Sequence, residues 1–242
     1  MRVFGRNVLK ELLSSDHKNI IKNVFISKTA KGSINEIKTS LEQEGIRYTP
    51  VPAKTLDSLS EPGVRHQGIV VETKDFPYMD EDIVIENFQN KEKGFLLILD
   101  QVNDPQNLGS IIRTAYGAGV DAIVLSKDNT VTVNPTVIKV STGLAYKINV
   151  APATNLNRFI HKAKDAGFWV YGADMDGGDY HQIKWDPKTA LVFGNEAKGI
   201  RRLVSENCDQ LVSIPMKREM DSLNLSVSAG IITFDIAGRR KG

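Results

Sequence analysis

The chain has 242 residues, of which 41% are hydrophobic and 25% charged, and its formal net charge is +2. This length allows one large domain or two smaller ones, each with its own core. The composition is typical of a soluble globular protein, and no apolar run approaches the ~18 residues of a membrane span. Basic residues cluster in GIRRL, MKRE and GRRKG. These clusters could bind phosphate or could be solvated helix ends.

The N-terminus and the cysteine content bear on location and on metal binding. The segment MRVFGRNVLKELL has neither the long apolar core nor the cleavage site of a signal peptide, so we expect a cytoplasmic protein. The single cysteine excludes an intrachain disulfide, and one cysteine with four scattered histidines argues against a zinc site. We expect no metal and no membrane association. Cys208 itself is expected to be a partly buried thiol beside a strand.

The first 74 residues alternate helix and strand patterns. Helical spacing of apolar residues predicts helices over FGRNVLKELLSS, INEIKTSLEQEG and KTLDSLS. The strand patterns are NVFIS, IRYTPV and HQGIVVETK. In the first helix, Phe4, Val8, Leu12 and Leu13 would share one face, and Gly45 would end the second helix. Residues 1–74 are therefore predicted to form a compact α/β domain.

Residues 75–94 differ in composition from both of their neighbours. The segment DFPYMDEDIVIENFQNKEKG is acidic, has one proline and ends in glycine. We interpret it as a linker that could contain one helix.

From Phe95 the alternation resumes and continues to residue 242. The predicted strands are FLLILD, DAIVLS, FWVYGADM, TALVFG and QLVSIP. The predicted helices are LGSIIRTAYGAG, TNLNRFIHKAKDAG with Asn155 or Thr154 as N-cap, GIRRLVSENC, and a last helix within SLNLSVSAGIITFDIAGRR. In the last helix an apolar face carries Leu223, Val227, Ile231 and Phe234. This alternation predicts an α/β domain over 95–242, with a mostly parallel sheet and crossover helices.

Small polar residues and glycines follow three of these strands. They are Asn107, Gly109 and Arg113 after the first strand, Gly194, Glu196 and Gly199 after TALVF, and Ser222, Asn224 and Ser226 after QLVSIP. Because ligands of parallel sheets collect at the carboxyl ends of the strands, these loops are candidate binding loops.

Each candidate also has a structural explanation. Asn107 could cap its helix, and Arg113 could be a solvated helix residue. Glu196 could be a first-turn carboxylate facing a helix N-terminus. Ser222 has the spacing of an N-cap for the last helix, and His66 could be a surface or strand-edge residue.

In this order, the three loops resemble the three motifs of the SpoU/TrmH-type RNA 2′-O-methyltransferases. The matching segments are NLGSIIRTA, LVFGNEAKGI and SIPMKREMDSLNLSVSAG. The segments FGRNVLKELL, HQGIVV and LILDQVNDPQNLG are similar to members that methylate a guanosine of 23S rRNA in the peptidyl-transferase region. The resemblance covers essentially the whole chain.

The resemblance implies a fold, a cofactor and an assembly. The C-terminal domain would be a parallel sheet tied in a deep trefoil knot of the SPOUT type, one of the rare exceptions to unthreaded chains. S-adenosylmethionine would bind bent in the knot. The N-terminal domain would be of the L30e type and bind RNA, with Arg6, Asn7, His66 and Gln67 among its contacts. The chain would form a homodimer through its C-terminal domains, with the last helix at the interface.

The resemblance also implies roles for individual residues. Arg113 would meet the reacting ribose, and Asn107 would shape that site. Glu196 would orient neighbouring groups, while Ser222 and Asn224 would lie near the methyl donor. Cofactor contacts would come from Gly194, Ile214, Met216, Leu223 and Asn224.

The proton acceptor is left open at this stage. Arg113 could take the 2′-OH proton if its site perturbs it, or it could bind an RNA phosphate that takes the proton. Because a guanidinium stays protonated in most proteins, the second possibility is preferred. In a dimer, Arg113 could serve the site built by the other subunit.

Two other functions remain open for the whole chain. It could be a tRNA 2′-O-methyltransferase, or a non-catalytic RNA-binding protein of the same fold.

Overall fold

A computed structural model describes residues 1–60, 63–218, 220 and 222–240. The strands are β1 (Arg2–Phe4), β2 (Ile21–Ser27), β3 (Thr49–Val51), β4 (Ile69–Thr73), β5 (Gly94–Leu99), β6 (Ala122–Ser126), β7 (Asn149–Ala153), β8 (Trp169–Asp179), β9 (Lys188–Phe193) and β10 (Gln210–Ser213). The α-helices are α1 (Arg6–Leu13), α2 (Ile34–Gln43), α3 (Ala53–Leu59), α4 (Glu81–Glu86), α5 (Pro105–Gly117), α6 (Pro135–Val140), α7 (Leu156–Asp165), α8 (Arg202–Glu206) and α9 (Leu225–Arg239). The basic clusters MKRE and GRRKG lie partly outside the described residues, at Glu219 and at Lys241 and Gly242.

The chain divides into two compact units, and each unit is built from two segments that are separated in the sequence. The first contains Met1–Pro77 together with Val133–Lys147, and the second contains Tyr78–Thr132 and the chain from Ile148 onward. The segment expected to be a linker carries α4, and Val84 and Ile85 of that helix lie in the core of the second unit. The functional division into 1–74, 75–94 and 95–242 stays a prediction.

The first unit is built on a four-stranded sheet with the order β1-β4-β2-β3. The prediction that Phe4 begins the first helix is wrong. Phe4 lies in β1, where it pairs with Val70 of β4. Gly5 then adopts a φ of 105°, which side chains rarely allow, and α1 begins one residue later. At the end of α2, Gly45 has a φ of 67°, as expected of a C-terminal cap.

Residues 133–147 form part of the first unit, which the periodicity did not predict. Lys139 on α6 donates to the carbonyl oxygen of Arg65 at 2.9 Å, and Lys147 donates to that of Ser14 at 2.7 Å. Gly143 packs so tightly that a Cβ on it would lie 2.8 Å from the Cα of Val8. Burial lowers the pKa of Lys139 from its ordinary value.

The second unit is built on a six-stranded sheet with the order β10-β8-β9-β5-β6-β7. Every strand pairing in this sheet is parallel, so the predicted parallel α/β architecture is confirmed. Strand β7 was missed, because Pro152 lies within it and proline normally interrupts a strand pattern. The strand tolerates proline because it lies at the edge of the sheet, where one side needs no backbone donor.

Strand β8 is longer than predicted and has an irregular register with β10. Leu211 pairs with Gly172, but its neighbour Val212 pairs with Gly178. Pairing resumes at Gly178 after this shift. A Cβ on the preceding Gly177 would lie 2.4 Å from the backbone nitrogen of Val212, so the close approach of the two strands requires a glycine there.

Helix α9 packs against the rest of the second unit, and the face that it buries differs from the predicted apolar face. Its buried positions include Leu225, Ala229 and Ile232. By contrast, Val227 is 48% exposed and Phe234 is 53% exposed. Helix α9 is therefore apolar on two faces. Of the helices in the described residues, none is both long and apolar enough to cross a membrane. The cytoplasmic location stays a prediction.

Candidate functional site

The three candidate loops meet in one hydrogen-bonded cluster in the second unit. The amide nitrogen Nδ2 of Asn107 donates to Oε1 of Glu196 at 3.0 Å. The Nδ2 of Asn224 donates to Oδ1 of Asn107, also at 3.0 Å. Asn107 lies at the centre and is only 6% exposed. We call Asn107, Glu196 and Asn224 the amide cluster.

Local structure explains how α5 and α9 present these amides. Helix α5 is capped by Asp104, whose side chain accepts from the backbone of Gln106, so the alternative that Asn107 caps it is wrong. Asn107 lies inside the first turn and faces inward. Helix α9 is capped by Asn224, whose Oδ1 accepts from the backbone of Ser226. Ser222 is therefore not the N-cap, and its side chain is exposed.

The second loop is shaped by Asn195, which the sequence reasoning missed. Its Oδ1 accepts from the backbone nitrogens of Ala197 and Lys198, and its backbone pairs with Gly199 in both directions. These bonds form a tight turn that projects Glu196. Because α8 begins only at Arg202, the alternative of Glu196 as a first-turn carboxylate is wrong.

Gly194, at the start of this turn, has no room for a side chain. A Cβ there would lie 2.0 Å from the carbonyl carbon of Gly199 and 2.1 Å from the nitrogen of Ile200. The close backbone approach is what brings the two ends of the turn together. A second missed feature is Gly172 in β8, where a Cβ would lie 2.7 Å from Cδ2 of Leu211.

An ion pair between a buried aspartate and a partly exposed arginine anchors the far end of the same turn. Asp100 follows β5 and is fully buried, and its carboxylate accepts from the backbone nitrogen of Arg201 at 3.0 Å. The Arg201 guanidinium binds the other carboxylate oxygen, with Nη2 at 2.7 Å. A buried carboxylate is stable only when it is paired and hydrogen-bonded, as here. In the sequence, the only indication of this ion pair is an aspartate directly after an apolar strand.

Gln101 links this turn to the neighbouring strand β6. Its carbonyl oxygen accepts from Nδ2 of Asn195 at 2.9 Å, and its nitrogen donates to the hydroxyl of Ser126 at 2.9 Å. Gln101 has a φ of 61°, a strained conformation for a residue with a side chain. No sequence pattern could have predicted this, because nothing in the residue type favours it.

Arg113 lies apart from the amide cluster. It is six residues from Asn107 on α5, which at 3.6 residues per turn places it about 120° around the helix axis. Its side chain is exposed, and its guanidinium has no hydrogen-bond or ion-pair partner in the part of the chain that the structure describes.

The remaining candidate cofactor-binding residues of the second unit follow β10. Ile214 and Leu223 are half-buried, and Met216 is 39% exposed. These residues lie outside strands and helices. Cys208 precedes β10 and is partly buried, as predicted. Burial raises the pKa of its thiol to about 12, which keeps it protonated and unreactive at neutral pH.

The candidate RNA-binding residues of the first unit are grouped around the turn before β4. Nε of Arg6 donates to the carbonyl oxygen of Gln67 at 3.1 Å. Nε2 of His66 lies 3.0 Å from Oδ1 of Asp57, and its Nδ1 accepts from the backbone of Gly68. Asn7 is exposed beside them. His66 is thus held in place, and the missed residue Lys139 binds the same turn.

The fold and the site together define a parallel α/β domain whose ligand edge is built from three strand-end loops, accompanied by a smaller α/β unit. Residues 94–234 match the SpoU rRNA methylase family, and residues 2–79 match the substrate-binding domain of RNA 2′-O-ribose methyltransferases. The chain belongs to the SpoU rRNA methylase family. It is an RNA 2′-O-ribose methyltransferase by class, and the predicted fold class and enzyme class are confirmed.

Relatives of known sequence and structure extend over the whole chain. A Bacillus subtilis protein, YacO, named as a candidate TrmH family tRNA/rRNA methyltransferase, is 38% identical over 98% of this chain and 95% of its own length. An rRNA methyltransferase from Sinorhizobium meliloti with bound AdoMet is 26% identical, with a TM-score of 0.77 over 99% of this chain and 87% of that one. The AviRb methyltransferase of Streptomyces viridochromogenes shares the fold, with 20% identity and a TM-score of 0.80 over 100% and 91% of the two chains. The trefoil knot and the L30e-type topology stay predictions.

Proposed function

We propose that this protein transfers a methyl group from S-adenosylmethionine to the ribose 2′-OH of a guanosine in 23S rRNA, in the peptidyl-transferase region. The observation that carries the proposal is the amide cluster, because it joins one residue from each of the three motifs within the second unit. Sequence similarity of the N-terminal segments supports the rRNA substrate. The relative from Sinorhizobium meliloti is likewise an rRNA methyltransferase.

The residues at the carboxyl ends of β9 and β10 fit S-adenosylmethionine. Ile214, Met216 and Leu223 offer apolar side chains suited to a flat adenine ring. The backbone around them lies outside strands and helices, so its N–H and C=O groups are free of ladder bonds and can bind the adenine edge. When bound, S-adenosylmethionine supplies an electrophilic methyl group on its sulfonium.

The amide cluster would position the ribose for in-line displacement. Glu196 accepts a hydrogen bond from the NH₂ group of Asn107, and Asn224 donates to its oxygen, so both ends of this amide are fixed. An amide fixed in this way can hold the 2′-oxygen in position for attack without reorganising. Ser222, two residues before Asn224, is exposed and would contact the substrate or the donor.

Arg113 would bind an RNA phosphate, which then takes the proton released by the 2′-OH. Its guanidinium is exposed and projects about 120° away from Asn107 around α5. An arginine that binds the substrate in its own subunit would be expected to face the amide cluster of that subunit. The arrangement therefore supports a site completed by Arg113 from a second copy of the chain.

Replacing Arg113 by lysine is expected to lower the methylation rate about 100-fold, because lysine keeps the charge but loses the bidentate fork that grips phosphate. Single-turnover methylation measures this effect. Calorimetry should show unchanged S-adenosylmethionine affinity. Arg202→Lys is the matched control, because Arg202 is an exposed arginine paired with Glu206 on α8. Equal rates for Arg113→Lys and the parent would reject this role.

We propose that the dimer forms through α5 and α9. These helices pack together, and Tyr116, Val227 and Phe234 leave large apolar surfaces exposed on them. Exposed apolar surface of this kind commonly marks a protein interface. A second copy covering this face would also carry its own Arg113 on α5 to the shared interface.

The dimer proposal predicts that Phe234→Glu yields a monomer, because a carboxylate would be desolvated at the centre of the interface. Sedimentation of the parent should give twice the chain mass, and the variant should give the single-chain mass. Met175→Glu is a suitable control, because Met175 is 65% exposed elsewhere in the second unit. A parent that sediments as a monomer contradicts the proposal.

In the first unit, we propose that Arg6, Asn7, His66 and Gln67 contact RNA. Their grouping around one turn supports a common binding surface. Lys139 adds a positive charge beside them, since it binds the carbonyl oxygen of Arg65.

Mapping 2′-O-methyl groups on bulk rRNA and tRNA, with and without this protein, tests the proposed function. A protein-dependent methyl group on a 23S guanosine is expected. Methyl groups gained only on tRNA would favour the tRNA alternative. Absence of both methylation and S-adenosylmethionine binding would favour the non-catalytic RNA-binding alternative.

A further inference from the structure

A polar cavity of about 190 Å³ lies at the carboxyl ends of β6 and β7. The start of α7 closes one side of it. Its lining includes Ser126, Lys127, Asp128, Ala153, Asn155 and Arg201. The proposed contacts to the cofactor and to the ribose do not involve this cavity, although it opens at the carboxyl edge of the same sheet.

The charges that line the cavity balance one another. Arg201 is neutralised by the buried carboxylate of Asp100. Lys127 and Asp128 are exposed, and neither side chain has a hydrogen-bond or ion-pair partner within the described ranges. A phosphate would meet the unpaired carboxylate of Asp128. A neutral ligand that offers both donors and acceptors would find a partner for each group.

The lining is held rigid by local hydrogen bonds. The hydroxyl of Ser126, only 3% exposed, lies 2.7 Å from the hydroxyl of Thr130 and organises the turn that carries Asp128. The backbone of Lys127 donates to the carbonyl oxygen of Ala153 at 2.9 Å. Asn155 caps α7 through its Oδ1, which accepts from the backbone of Arg158. These bonds fix the backbone that carries Lys127 and Asp128, and a fixed backbone limits the positions that their side chains can take.

The cavity wall is connected to the amide cluster through Gln101. Ser126 of the wall accepts from the nitrogen of Gln101, whose oxygen binds Asn195, next to Glu196. Neighbouring strands lie about 4.8 Å apart, so β6 and β7 lie roughly 5–10 Å from β5 across the sheet. This span suits one nucleoside with its ribose at the amide cluster and its base in the cavity.

We propose that this cavity receives the guanine base of the nucleotide that is methylated. Asp128 would accept hydrogen bonds from the N1–H and the N2 amino group of guanine. Lys127 and Arg201 would donate to O6 and N7, the pairing that cations commonly make with guanine. Bases in single-stranded RNA are read along these edges. The inference rests on the proposed function for the identity of the nucleotide, and it makes Asp128 the residue that sets base specificity.

Nuclear magnetic resonance titrations of the full-length protein test the proposal directly. The probes are GMP, IMP, AMP and ribose 5-phosphate, and the readouts are the backbone amides of Lys127, Asp128 and Asn155. GMP should shift these amides in a saturable manner. IMP, which lacks the N2 amino group, should bind at least about tenfold more weakly. AMP and ribose 5-phosphate should cause no saturable shift.

The variant Asp128→Ala should lose the preference for GMP over IMP. Asp165→Ala is the matched control, because Asp165 is exposed at the opposite end of α7. Equal shifts with ribose 5-phosphate would identify a phosphate site and overturn the proposal. Equal binding of AMP, or an Asp128→Ala variant that still prefers GMP, would also overturn it. Methyl mapping with the parent protein tests the proposed function separately, so the two failures are distinguishable.

Discussion

Gly194→Ala is expected to destabilise the fold by more than about 4 kcal/mol, because the new methyl group would overlap backbone atoms. A Cβ at this position lies 2.0 Å from the carbonyl carbon of Gly199 and 2.2 Å from its oxygen. A flexible side chain could rotate away from such a contact, but these backbone atoms are fixed by the pairing of Asn195 with Gly199. Relief would require the turn that projects Glu196 to open.

The free energy of unfolding in urea, or the melting temperature where the variant folds, measures this effect. Gly238→Ala is the matched control. Gly238 lies inside α9, and a methyl group there would meet no other part of the described chain within 4 Å, so alanine should stabilise the helix by about 1 kcal/mol. A Gly194→Ala variant that melts within about 2 °C of the parent would show that the turn adapts at little cost. The requirement for glycine at this position is therefore structural, whether or not its backbone also binds the cofactor.

Asn107→Asp is expected to disrupt the amide cluster with almost no change in shape. The substitution removes the donor to Glu196 and places a second carboxylate about 3.0 Å from the first. Two like charges at this distance repel by several kcal/mol at intermediate dielectric, but Glu196 is exposed, so we expect a net loss of about 2 kcal/mol at pH 7. Methylation should be lost as well, because the amide that we propose positions the ribose is gone.

The pH dependence separates repulsion from a simple loss of a hydrogen bond. Repulsion raises the folded-state pKa of the introduced carboxyl above its unfolded value near 3.9. A carboxyl with a raised folded pKa costs little stability below its unfolded pKa. The cost grows as the pH rises between the two pKa values and is complete above the folded one. The variant should therefore approach the parent in stability near pH 4 and diverge from it toward pH 7.

Urea unfolding of parent and variant across this pH range provides the measurement. Asn224→Asp is the control, because its carboxylate would still cap α9 and would lose only the hydrogen bond that Asn224 donates to Asn107, without facing a second carboxylate. A favourable helix N-terminus should keep that introduced carboxyl ionised with little penalty. If the deficit of Asn107→Asp does not change with pH, repulsion by Glu196 is not its cause.

Several features followed from the sequence because they depend on local patterns. The apolar run of β5 and the alternation after it predicted a parallel sheet, and parallel strands place their following loops at one edge. Asn155 was a recognisable N-cap, and Gly45 was a recognisable helix end. The resemblance of three ordered motifs then indicated the family.

Other features were missed or wrong because contacts distant in sequence decide them. Pro152 was compatible with a strand only because β7 has a free edge. The capping role fell to Asn224 rather than Ser222, since α9 begins where Asn224 can also bond Asn107. Residues 133–147 joined the first unit through bonds from Lys139 and Lys147, which no periodicity encodes.

The sequence by itself thus determined the class of fold, the family and the three candidate loops, because short-range spacing and residue type fix strands, helices and motifs. Only the tertiary structure decided how those loops meet. It buried Asn107 between Glu196 and Asn224, turned Arg113 away from them, and set a charge-balanced cavity beside Gln101. These outcomes depend on the register of the sheet and on backbone contacts at Gly194, which are properties of the packed chain.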